Sequence, residues 1–172
     1  MEGSRGGLVI LGVRLSRNLL PIKMPEIPAN GEQRGDPKGM LTLAKVSKIP
    51  IKRIRYLPDS TPSVITEINC GILFVMAFWS GPSIKAFHQL TEIVSRLDPD
   101  GKLEFIVVDT DGAEAFYEHP AFKDRLSGAG EVAWIADGLI QCTSGLGYNP
   151  GCFEPNTQAL LAEWIKSRRT KP

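Results

Sequence analysis

The chain has little of what most chemical sites are built from. Among its 172 residues there are three cysteines, Cys70, Cys142 and Cys152, and two histidines. Cysteines so few and so scattered exclude a disulfide framework and a closed zinc site. Their odd number fits a reducing compartment, where thiols stay free, so a cytoplasmic protein is expected. No apolar run approaches the roughly 20 residues that span a bilayer, and no membrane span is expected. Net charge is almost absent at +1, yet it is unevenly spread. Residues 1–58 carry eleven Lys/Arg against four Asp/Glu, and residues 59–172 carry nine against fifteen. A basic leader ahead of an acidic domain reads as a solvated arm, with docking onto an anionic surface as the alternative. The alternating basic residues of IPIKRIRYL come without an aromatic platform or a recognised motif, so no nucleic-acid partner is expected. The glycines of GLGYNPG open no phosphate-binding helix. No cofactor and no metal are expected.

What is present is an alternation of buried strands and amphipathic helices. The start, MEGSRGGLVILGVRLSRNLL, is nearly acid-free and contains arginine, which keeps a targeting segment in view. Residues 21–41 hold four prolines and three glycines and read as a linker. From Ile49, IPIKRIRYL suits an edge strand with one wet face, and STPSVITEI suits a short helix. GILFVMAFW, residues 71–79, is a continuous apolar run of the kind buried on both faces of a sheet. Gly81-Pro82 then punctuates the chain, and Ile84, Phe87, Leu90, Ile93/Val94 and Leu97 recur at helical spacing. Ser80 is placed to cap that helix, and Pro82 to sit in its first turn. KLEFIVVDTDG reads as a second buried strand ending in Asp109 and Asp111. This acid pair suits a cation less well than a cap on the helix that follows. Residues 113–126 suit a helix that Pro120 must break after His119. EVAWIADGLIQC reads as a hairpin turning at Asp137-Gly138, and EPNTQALLAEWIKSRR as a closing helix burying Leu160, Leu161 and Trp164.

Trp79-Ser80-Gly81-Pro82-Ser83, lying between a buried strand and a helix, resembles the Trp-Cys-Gly-Pro-Cys motif of the thioredoxin superfamily. FIVVDTDG, the Asp137-Gly138 hairpin and the closing helix resemble that family's later elements in order. The resemblance covers about residues 50–168. It implies an α/β, thioredoxin-like fold with a central mixed β-sheet of about four to five strands flanked by helices. The expected division is an irregular, basic N-terminal extension over 1–48 and a thioredoxin-like domain over 49–172.

The family's chemistry needs two thiols, one to attack a disulfide and one to resolve the intermediate. A thiol near pKa 8.5 is readily ionised at a helix N-terminus, whereas a serine hydroxyl is not and has no disulfide exchange. Ser80 and Ser83 therefore exclude dithiol chemistry at this site. The family's cis-proline slot falls near Gly130, with no proline nearby, and the strand 71–79 lacks the family's buried acid. A serine nucleophile needs a base, but His88 lies five residues beyond Ser83 on the same helix, about 140° around it.

The expected function is a redox-inactive module that binds a protein or extended peptide segment across Trp79, Ser80, Gly81, Pro82, Ser83 and Gly130. Amides at the helix start offer a place for an anionic group. The alternative is a divergent thiol-disulfide oxidoreductase whose redox pair is Cys142 and Cys152, at the two ends of the loop TSGLGYNPG.

Overall fold

The computed structural model describes residues 35, 36 and 38–169, and the candidate targeting segment lies outside them. Five strands form one sheet: β1 (Ile54–Leu57), β2 (Cys70–Met76), β3 (Glu104–Asp109), β4 (Glu131–Ala136) and β5 (Leu139–Thr143). Four helices accompany them: α1 (Gly39–Val46), α2 (Val64–Glu67), α3 (Gly81–Leu97) and α4 (Phe153–Arg169). The strand order is β1-β3-β2-β4-β5, with β2 in the middle and all seven of its residues buried. β3 runs parallel to β1 and β2, while β4 is antiparallel to both β2 and β5. This mixed α/β sheet is the thioredoxin-like architecture that the motif resemblance implied.

Strand periodicity divides the core in two. Ile72, Phe74 and Met76 of β2, Phe105 and Val107 of β3, and Val132 and Trp134 of β4 face one side. There they pack with Leu43 of α1, Phe87, Leu90 and Val94 of α3, and Phe153 and Leu160 of α4. Leu73, Val75, Ile106, Val108, Ala133 and Ile135 face the other side, against Val64 and Ile65 of α2 and Phe116 and Phe122. The hairpin between β4 and β5 turns at Asp137 and Gly138, both at positive φ. Among the described residues no helix is long and apolar enough to cross a membrane.

Three expectations change. The division at residue 49 placed 39–46 in an irregular extension, but this stretch is α1, with Leu43 wholly buried. The segment is held by non-local bonds that its own proline- and glycine-rich context hides. The Lys48 amide donates to Thr91 Oγ1 at 3.0 Å, and His88 Nδ1 meets the Val46 carbonyl at 3.0 Å. The edge strand starts at Ile54, because Ile51–Arg53 forms a 3-10 turn that carries Arg53 to Asp98. Its guanidinium donates to the Asp98 carboxylate at 2.7 Å, and Arg55 pairs with Glu67. The helix over 113–126 is a 3-10 segment, Glu114–Glu118, followed by turns; it stops at His119, where the following proline removes a donor.

Candidate functional site

The site begins where β2 ends and α3 starts. Ser80 has extended backbone angles, and its side-chain oxygen accepts from the Ser83 amide at 3.5 Å. Pro82 lies in the first turn, where a missing N–H costs nothing. Ser83 is fully buried. Its Oγ accepts from the Ala77 amide at 3.0 Å and donates to Met76 Sδ at 3.3 Å. Both motif hydroxyls thus serve the strand-to-helix corner.

Neither histidine supplies a base to them. His88 faces the Val46 carbonyl, and His119 Nδ1 accepts from the Ala121 amide at 3.3 Å. The geometry gives Ser83 a structural role and leaves no nucleophilic pair at the corner.

Trp79, just outside the corner, is 67% exposed. Its indole N–H donates to Asp111 Oδ1 at 3.2 Å, across 32 residues of sequence. Beneath the ring lies Gly128, at φ +72, where a Cβ would stand 2.7 Å from Trp79 Cη2. Gly130, at φ +87, closes against the corner itself. A Cβ there would stand 2.7 Å from Phe74 Cζ, 2.9 Å from Ala86 Cβ and 3.1 Å from Ser83 Cα. Trp79, Ser80, Gly81, Pro82, Ser83 and Gly130 are therefore brought to one end of the sheet. Every described peptide bond is trans. The backbone approach that Gly130 makes depends on its missing side chain rather than on a proline.

Three residues absent from the sequence-based site hold this region together, one exposed and two buried. Asp111 fixes the indole. Asp109 caps the Thr110–Gly112 turn by accepting from the Asp111 amide at 3.0 Å, the role expected for one of this acid pair. Glu131, only 2% exposed, gathers the Ser127–Ala129 loop. Its Oε1 accepts from the Ser127 amide at 2.8 Å, Ser127 Oγ at 2.7 Å and the Ala129 amide at 3.3 Å. Its Oε2 is buried with no hydrogen-bond partner. The only signal in the sequence was the glycine spacing of SGAGE, which marks a tight loop without naming its anchor.

Asp109 also carries the second buried carboxylate of the region. Its Oδ2 accepts from the Asp36 amide at 2.6 Å and from Tyr56 Oη at 3.1 Å. Burial pushes its pKa above the ordinary aspartate value, against the pull of these donors. Burial and the neighbouring Asp109 charge push the Tyr56 hydroxyl up strongly. The bonds pin residue 36 and the approach to α1 beside Phe78, whose ring meets Tyr56 edge-on at 5.7 Å.

Cys142 and Cys152 sit elsewhere, in β5 and in the turn before α4. Cys142 pairs across the hairpin with Trp134, whose ring packs on Phe153, the neighbour of Cys152. Both thiols are free and half-buried. Burial raises both pKa values, and the charge of Cys152 raises that of Cys142 further. Cys70 is pushed up to about 11 by burial, then by Asp137, Glu104 and Asp98.

No family model and no curated protein sequence matches the chain. Among solved structures it is similar to mitochondrial thioredoxin 3 of Saccharomyces cerevisiae in its oxidized form, with TM-score 0.47 and 18% identity over 63% of this chain and 96% of that one. It is similar to thioredoxin of Trypanosoma brucei brucei, with TM-score 0.46 and 16% identity over 63% and 95%. Thioredoxin of Plasmodium falciparum gives TM-score 0.43 and 21% identity over 63% and 97%. These likenesses concern the backbone path; the thioredoxin-like description of the fold rests on the strand order and directions.

Proposed function

We propose that the chain is a redox-inactive, thioredoxin-like binding module whose former active-site face takes a protein or extended peptide segment. The observation that carries this is Trp79, a large aromatic side chain two-thirds exposed yet held in place by Asp111 and the Gly128 backbone. A rigid aromatic anchor loses little entropy on binding, and such residues dominate interface energetics. Ser80, Gly81 and Pro82 supply one flank of the bound segment, and Gly130 with the start of β4 supplies the other. Ser83 supports the corner from within. No electron transfer is assigned to this face, because oxygen at both motif positions has no disulfide exchange.

The rival reading makes Cys142 and Cys152 a dithiol pair. Their link through Trp134 and Phe153 favours it. The direction of their pKa values opposes it as catalysis, since an attacking cysteine needs thiolate at neutral pH and burial withholds it here. Thiol labelling with mass spectrometry across a series of glutathione ratios separates the two. Unpaired thiols throughout support the binding module, and one reversible Cys142–Cys152 bridge at a cellular potential supports the rival.

The direct test selects peptides from a random display library against the full chain and measures their affinity for wild type and Trp79→Ala. Because the ring is mostly exposed, the variant should fold normally by circular dichroism. Loss of a central aromatic anchor should weaken binding about 30-fold or more. Affinities unchanged by the substitution would place the binding surface elsewhere.

A further inference from the structure

The surface around Trp79 carries a charge pattern that bears on what it binds. The helix amides at Ser80–Ser83 suit an anion in principle. Yet the Ser83 and Ile84 amides are taken by Ser80 Oγ and by the Ser80 carbonyl. The groups next to Trp79 are acidic instead. Asp111 holds the indole by one oxygen, at an exposed position on the surface. Glu131 is anchored through Oε1 to the loop that runs under the ring, and its Oε2 has no partner. The exposed Tyr117 responds to the same two acids: its hydroxyl pKa is raised by burial first and then by the charges of Glu131 and Asp111.

No lysine or arginine pairs with either acid among the described ion pairs. Lys85, on the first turns of α3, lies over the Tyr148 ring. Over residues 35–169 sixteen acidic residues stand against fourteen basic ones, so the sign at this surface is set by the local acids rather than by the wider field.

We infer that the segment bound across Trp79 presents a basic side chain, lysine or arginine, to the exposed Trp79 ring, with Asp111 and Glu131 supplying the counter-charge. This rests on the reading of Trp79 as the anchor of a peptide-binding face. A cation over an indole is attracted by the ring quadrupole, and nearby carboxylates add their own Coulombic attraction. Glu131 acts through its field: its Oε1 holds the Ser127–Ala129 loop while its Oε2 is buried with no hydrogen-bond partner, and a cation on the ring supplies attraction that the protein itself leaves unmet. An anionic peptide would meet like charge on the same surface.

The test titrates two heptapeptides into the full chain. Both have the same alanine, valine and serine scaffold, with arginine or norleucine at the centre, and binding is followed by the Trp79 indole N–H resonance. The arginine peptide should bind about tenfold more tightly at low salt, and the gap should narrow as salt screens the charges. Asp111→Asn keeps an oxygen for the indole and removes only charge; Glu131→Gln likewise keeps the oxygen that Ser127 and Ala129 use. Each should shrink the arginine preference severalfold, read as the ratio of the two peptides' affinities for the same variant. Equal affinity of the two peptides, or preference for norleucine, would overturn the inference and leave the peptide-binding face standing. Failure of both peptides to move the Trp79 resonance would overturn the face and the inference together.

Discussion

Gly130→Ala isolates the contact on which the corner depends. At φ +87 an alanine has a left-handed backbone that costs about 1–2 kcal/mol. Its Cβ would stand 2.7 Å from Phe74 Cζ and 3.1 Å from Ser83 Cα, inside a packed core and against backbone that cannot swing away. Overpacking of this kind adds about 1–3 kcal/mol. The expected loss is about 3 kcal/mol, which lowers the melting temperature by about 6–12 °C for a domain of this size. Gly145→Ala provides the control. Its φ of +78 is nearly the same, but nothing lies within 4 Å of its Cβ position, so only the backbone part remains. Urea unfolding of both variants, with unchanged m-values, gives the difference directly. Equal losses for the two would refute the claim that Gly130 is required by its approach to Phe74, Ala86 and Ser83.

Two further outcomes follow from residues around the site. Leu43→Ala removes a fully buried side chain from α1 and should cost about 2–5 kcal/mol in urea unfolding; a loss under about 0.5 kcal/mol, the range of surface changes, would mean α1 is not part of the folded unit. Asp109 should titrate above the ordinary aspartate range by carboxyl ¹³C NMR, because burial raises its pKa despite the donors from Asp36, Tyr56 and Asp111. With the folded-state pKa above the unfolded one, the native state binds more protons between them, and stability falls as pH rises through that window. The stability difference between wild type and Asp109→Asn should therefore move in favour of wild type as pH is lowered through the folded-state pKa, and movement the other way would reverse the assigned direction.

Local patterns made much of the fold legible. The run GILFVMAFW announces a strand covered on both faces, Asp137-Gly138 announces its hairpin, and Ser80 with Pro82 announces a helix start, because each signal is complete within a few residues. What stayed hidden is non-local. Leu43 is one apolar residue in a short helix whose end is met by His88 at the Val46 carbonyl and followed by a bond from the Lys48 amide to Thr91, each partner more than 40 positions away. Pro120 marked the end of the helical stretch after His119, but nothing in its sequence separated an α-helix from 3-10 turns. At the site, Trp79 and the serines could be named from their order alone. Asp111 could not be tied to Trp79, nor Glu131 to the Ser127–Ala129 loop, because burial and donor supply depend on how β3 and β4 are placed beside β2.

The most direct measurement is a backbone ¹⁵N NMR map of the full chain titrated with a peptide selected against it. The account expects the shifted resonances to gather at Trp79–Ser83, Asp111 and 127–131. A map centred on Cys142, Tyr148 and Cys152, with Trp79 unmoved, would contradict it.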